Sequence, residues 1–186
     1  MALQALLAVD AGEPSHVATP RLLRSSDLDA RDRAFVTGLV AGTLRARRTL
    51  DHALIPYLDR PLSRLDADVR EGLRLGAYQL RAGVAPHAAV SETVDAVAAR
   101  RPRARGFVNA VLRRLADVGE WPVPEGDTDT DVGIRTSHPD WIVRRLRASF
   151  GDVQAQAILD LDNQAPTMML RPNPLAPTPC APTRRR

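Results

Sequence analysis

Apolar residues recur at three- and four-residue intervals through residues 1–119, and no stretch alternates with period two over the length of a strand. The pattern predicts a helix near 2–11 that stops at Gly12 with Pro14 beyond, and a short second helix marked by Leu22, Leu23 and Leu28. A third begins at Asp29, a suitable N-cap with Asp32 in the first turn. Phe35, Val36, Leu39, Val40, Thr43 and Leu44 form its apolar stripe. Gly38 and Gly42 on the same helix predict the close approach of another helix backbone, because glycine costs about 1 kcal/mol against alanine in a helix interior.

A fourth helix is predicted over 49–58, kinked or ended early by Pro56. The fifth runs from a cap at Asp66 to Gly83, with Val69, Leu73, Ala77 and Leu80 facing inward and Gly72 and Gly76 repeating the small-residue spacing. Pro86 opens a sixth with Val90, Val94 and Val97 on one face. A seventh covers 104–118, where Phe107, Val108, Val111, Leu112 and Leu115 face the core. The fold class is therefore an all-α bundle of about seven helices over residues 1–119.

Residues 120–136 interrupt the periodicity with Pro, Gly and five acids, which predicts a linker. Ser137-His138-Pro139-Asp140 then has the form of a capping box with Asp in place of Glu. Behind it, Trp141, Ile142, Leu146 and Phe150 predict a helix ending at Gly151, and Asp152 caps a last helix with Ile158, Leu159 and Leu161. Two such helices cannot bury their apolar faces alone, so 137–165 is the expected start of a further module. Residues 166–186 hold six prolines and no acid, which predicts a disordered tail.

Charge sharpens this picture. All 26 basic residues are arginine, whose planar fork pairs bidentately with phosphate. Residues 100–114 carry six arginines and no acid, whereas 117–131 carry six acids and no base. The asymmetry predicts a basic face suited to a polyanion. The single cysteine, Cys180, excludes a disulfide framework and a thiolate zinc site, and the cytoplasm is the expected compartment. His16, His52, His87 and His138 show no metal-site spacing, so no metal site is expected. His87 with Ser91 and Glu92 lacks the nucleophile elbow of a hydrolase.

Four strings in order, DRAFVTGLVAGTLRARRTLD at 32–51, LRLGAYQL at 73–80, PHAAVSETVDAV at 86–97 and GFVNAVLRRL at 106–115, resemble one family. It is that of the RsmB/Sun-type ribosomal-RNA cytosine-5 methyltransferases, whose N-terminal domain has the fold of the antitermination factor NusB. SHPDWIVRRLRASFG at 137–151, Asn163 and LRPNP at 170–174 are similar to the next module of those enzymes, which NusB lacks. The resemblance implies a NusB-like RNA-binding domain. It also implies, for a full-length member, a doubly wound domain that binds S-adenosylmethionine and supplies a cysteine nucleophile. Neither the glycine-rich loop nor the parallel sheet of such a domain is legible in this chain, and Cys180 echoes the Pro-Cys motif without its scaffold. The chain is thus expected to end before the catalytic domain, to hold no catalytic, cofactor or metal residue, and to be inactive alone.

The expected RNA-binding residues are Arg45, Arg47 and Arg48 at the end of the third helix, Arg100, Arg101, Arg103 and Arg105 in the loop before the seventh, and Arg113 and Arg114 on it. Aromatic partners are scarce, with Tyr57 and Tyr78 the exposed candidates, so contact with backbone and shape is expected over reading of splayed bases. Asn109 is expected to hold the preceding loop through backbone hydrogen bonds or to touch RNA. The expected partner is RNA, ribosomal RNA first. The alternative is a stand-alone antitermination-like regulator with a ribosomal-protein partner, and a third reading is a gene remnant without function.

Overall fold

A computed structural model describes residues 1–119 and 121–164. The expectations for Cys180, for LRPNP at 170–174 and for a disordered tail at 166–186 lie outside the described residues. Among the described residues nine α-helices follow one another: α1 (Ala2–Asp10), α2 (Ser15–Arg24), α3 (Ala30–Arg45), α4 (Arg47–Leu54), α5 (Ala67–Arg81), α6 (Pro86–Ala98), α7 (Arg105–Ala116), α8 (Asp129–Thr136) and α9 (Asp140–Asp162). Short 3-10 turns lie at Ile55–Tyr57, Leu62–Arg64 and Pro102–Ala104. The described residues form no strand.

Local signals set most boundaries. The Asp29 carboxylate accepts a hydrogen bond from the Asp32 amide at 2.8 Å, capping α3. Pro86 sits in the first turn of α6, where its missing N–H leaves no helical bond unmade. Pro56 turns the end of α4 into a 3-10 turn. Asp66 precedes α5 without a side-chain cap.

Helix α5 lies in the middle of the bundle, packed against α1, α3, α4, α6 and α7. Val69, Leu73 and Ala77 are buried on it, together with Gly72 and Gly76. A methyl group at Gly72 would collide with the Val97 side chain, and one at Gly76 with Leu112, so the small residues of α5 receive side chains from α6 and α7. Gly42 likewise faces the ring of Tyr78, whereas Gly38 has open space around it. The predicted backbone approach along Gly38 and Gly42 is therefore corrected: one glycine admits an aromatic ring and the other faces outward. On α3 full burial is confined to the C-terminal half, at Leu39, Val40, Gly42 and Thr43, while Val36 packs partly buried against the core and Phe35 is 54% exposed.

A second correction concerns the acidic stretch. Residues 120–136 are no uniform linker, because Asp129–Thr136 is helical. Thr128 and Asp131 form the capping box, and Asp129 and Asp131 sit in the first turn, where the positive end of the helix favours carboxylates. Ser137-His138-Pro139-Asp140 forms no such box: Pro139 stands at the N-cap of α9 without a side-chain bond. Val132 of α8 and Val143 and Leu159 of α9 make a small separate core, joined by Ile142 and Leu146. Gly151, at φ 74° and ψ 168°, breaks α9 where the sequence predicts a stop. Trp141, Phe150, Val153 and Leu161 remain exposed on α9.

Candidate nucleic-acid interface

The nine arginines expected to bind RNA fall into two groups, divided by the acids around them. Arg47 Nη2 lies 3.2 Å from Asp10 and 3.3 Å from Glu71, on the surface of a buried network. Within that network Glu71 is 1% exposed and meets Arg74, whose other edge pairs bidentately with Asp51 at 2.6 and 2.7 Å. Arg70 adds a bond to Asp10 at 2.6 Å. Burial acts to raise the Asp10 carboxyl, but hydrogen bonds and charge from Arg70 and Arg47 outweigh it and hold the group below its ordinary value.

Arg48 is a clamp between the bundle and the α8–α9 pair. Its guanidinium contacts Asp140 at 2.5 Å and donates to the His138 carbonyl at 2.5 Å. The Ser137 hydroxyl accepts from the amides of Arg48 and Thr49 at 3.0 and 3.4 Å, capping α4 from a residue far along the chain. Thr49 Oγ1 donates to the Ile134 carbonyl at 2.6 Å. Hydrogen bonds from Arg48 and Thr130 hold Asp140 below its ordinary pKa. Arg47 and Arg48 are thus engaged with acids and carbonyls of the fold, although 41% of the Arg47 side chain stays exposed.

Around α7 the balance reverses. Arg100 and Arg101 strap the loop before α7 onto α5 through Asp68: Arg100 Nε meets Oδ1, and Arg101 Nε reaches Oδ2 at 3.0 Å. Hydrogen bonds from Arg100 and then Arg101 hold Asp68 below its ordinary pKa despite partial burial. Both arginine side chains stay about half exposed, at 46% and 51%. They shape the loop while leaving part of each guanidinium to solvent. Arg105 pairs with Asp95 at 2.8 Å, but both are mostly exposed, so the pair is weak and easily exchanged for another anion. Among the described residues, Arg45, Arg103, Arg113 and Arg114 form no ion pair, and all four are exposed.

Two hollows flank this corner. A groove of about 690 Å³ between α6 and α7 is lined by His87, Ser91, Arg105, Asn109 and Arg113, with Asp117 at one end. A second, of about 590 Å³, lies on the other side of the loop and gathers Arg60, Arg100, Arg101 and Arg103. Asn109 accepts a hydrogen bond from Arg113 Nε at 3.1 Å, so it aims an arginine and bonds no loop backbone. Arg60 is a member the sequence did not single out: it stands in the segment after α4, with no local charge run to mark it.

By contrast, two of the three arginines of α9 are matched by acids. Arg147 contacts Asp127, Asp129 and Asp152 at 2.7, 3.0 and 3.1 Å, and Arg144 reaches Asp129 at 3.2 Å. S-adenosylmethionine has no fitting seat among the described residues. They hold no strand, and hence no glycine loop leading from a strand into a helix. No group of His, Cys, Asp and Glu among them is placed to hold a metal ion. None of their helices is long and apolar enough to cross a membrane.

Residues 1–117 match the NusB family, and residues 138–180 match the RsmF/B-like methyltransferase ferredoxin-like domain. The chain is 42% identical over 153 residues to ribosomal RNA small subunit methyltransferase B of Thermus thermophilus, covering 82% of this chain and 36% of that protein. It is 38% identical over 175 residues to the enzyme of the same name from Pseudomonas putida, covering 92% and 39%. The chain therefore spans well under half the length of these relatives. The crystal structure of PH0851 shares the fold, with a TM-score of 0.71 at 13% identity over 88% of this chain and 37% of that one.

Proposed function

We propose, from the premise that the chain belongs to the NusB family, that its bundle binds RNA at the α6–α7 corner and holds the α8–α9 pair in a fixed relation to that surface. The observation that carries this reading is the set of exposed arginines on and just before α7, with Arg105 and Arg113 lining the α6–α7 groove, Arg103 lining the neighbouring hollow and Arg114 exposed on the same helix. Flexible cations without buried acid partners exchange water and counterions for phosphate, and the released counterions drive binding. Such contacts position a nucleic acid without reading its bases.

Ribosomal RNA is the proposed partner, because the relatives named above are ribosomal RNA small subunit methyltransferases. On this reading the described residues bind and orient RNA and perform no chemistry on it. The Arg48–Asp140 clamp gives the arrangement its purpose: whatever follows α9 is carried at a set position relative to RNA on the bundle.

The test is a salt titration of binding to a ribosomal-RNA fragment. Reversing Arg103, Arg105 and Arg113 together should lower affinity about tenfold or more and reduce the slope of log K against log salt by about 2, at roughly 0.7 for each phosphate no longer neutralised. Reversing Arg144, Arg145 and Arg147 should cost less than about threefold, since Asp127, Asp129 and Asp152 already occupy two of them. Equal reductions from both triples, or a flat salt response of the wild type, would sink the assignment.

A further inference from the structure

A third hollow, of about 420 Å³, lies where the bundle meets the α8–α9 pair, at the C-terminal ends of α3 and α5. Arg45 and Arg81 line it, and among the described residues neither has an ion-pair partner. Tyr78 stands in the same wall, half-buried, with its ring laid against Gly42. The opposite wall comes from the second module and offers Ser137 and Asn163, with Asp160 as the acid among these lining residues. Arg135, also in this wall, is turned to the Pro124 and Gly126 carbonyls and is not free for a ligand.

We infer that this junction hollow is a seat for one nucleotide of single-stranded RNA, its phosphate on Arg45 and Arg81 and its base against Tyr78. The inference rests on the RNA-binding reading above and adds a second site to it. Three features favour a nucleotide over a bare anion. The two guanidiniums supply phosphate-binding forks, the aromatic ring supplies a stacking face, and Asn163, its Nδ2 held by the Thr136 and Leu159 carbonyls, leaves its Oδ1 as an acceptor for a base or sugar edge. A duplex would keep its bases stacked on each other and could offer only backbone, so the ring favours a single strand. Because one wall belongs to the bundle and the other to the α8–α9 pair, a nucleotide here would also fasten the two together.

Fluorescence anisotropy with a labelled 12-nucleotide uridine-rich RNA, and with a 12-base-pair RNA duplex, tests this on the whole chain. Arg45→Glu with Arg81→Glu should weaken single-strand binding about tenfold and lower its salt slope by about 1.4, two phosphates at roughly 0.7 each. Arg45→Gln with Arg81→Gln should do the same in smaller measure, and both positions are exposed, so circular dichroism should stay unchanged. Tyr78→Leu should weaken single-strand binding about five- to tenfold and duplex binding little, in line with one base left unstacked.

Unchanged affinity and slope in both arginine pairs, with binding still reduced by reversal at Arg105 and Arg113, would overturn the junction seat and leave the α6–α7 reading standing. Equal weakening for single strand and duplex would overturn the stacked nucleotide. A wild type that binds neither RNA would overturn the RNA-binding reading itself.

Discussion

Arg47 and Arg48 open α4, and Arg103, Arg105, Arg113 and Arg114 lie on α7 and in the turn before it, yet the fold uses the two sets in opposite ways. The first pair looks inward, to Asp10, Glu71, Asp140 and the His138 carbonyl. The second set is exposed, two of its members line the α6–α7 groove, and its one ion pair, Arg105 to Asp95, is weak and exposed. Counting arginines does not separate the cations held by the fold from those left to solvent; subtracting those matched by acids does, and the proposed RNA surface rests on the remainder. The same subtraction removes Arg144 and Arg147 on α9.

On this division, inward arginines govern stability and outward ones govern binding. The largest expected stability effect is at Arg74→Ala, which strips Glu71 and Asp51 of their main partner and should cost about 3 kcal/mol in urea denaturation. RNA affinity of the folded protein should change less than about twofold, because none of the outward arginines is touched. Gly133→Ala follows. Its methyl would meet the Arg48 guanidinium and the His138 carbonyl, and overpacking of this kind costs about 1–3 kcal/mol. Amide exchange should quicken across α8 and α9 and stay slow in α5; uniform quickening would contradict a local clamp.

Ser137→Ala removes the hydroxyl that caps α4 and should cost about 1 kcal/mol, read as a shifted urea midpoint with unchanged slope. Smaller again is the acid response. Asp10, Asp68 and Asp140 all have folded pKa values held below the ordinary range by arginine partners. Their contributions are complete above the unfolded carboxylate value of about 3.9 and disappear as pH falls through the lower folded values. Thermal melts should therefore be level near neutrality and drop below about pH 4. Asp140→Asn should flatten part of that drop, and no flattening would sever Asp140 from the clamp.

Much of the bundle was legible because its signals are local. The Asp29 cap, Pro86 at the start of α6, the Val90–Val94–Val97 face, the α7 stripe and the break at Gly151 each rest on residues a turn or so apart. The missed helix α8 shows the limit: its acids look like linker composition until Thr128 and Asp131 place two of them at the positive helix end. The fate of the arginines was hidden for another reason. Arg74 finds Asp51 at a separation of 23 residues, Arg100 finds Asp68 at 32, and Arg48 finds the His138 carbonyl at 90. No window of helical length contains both partners. Tyr78 and Arg81 were likewise ordinary residues of one helix until the second module brought a wall against them.

Ultraviolet cross-linking of the chain to a ribosomal-RNA fragment, with mass-spectrometric mapping of the linked peptides, tests the division between inward and outward arginines most directly. Cross-links concentrated in residues 100–117 and around Tyr78, and sparse at Arg47 and Arg48 and over residues 140–157, are the expected result. Cross-links centred on α9 or on the start of α4, with residues 100–117 unlabelled, would contradict it.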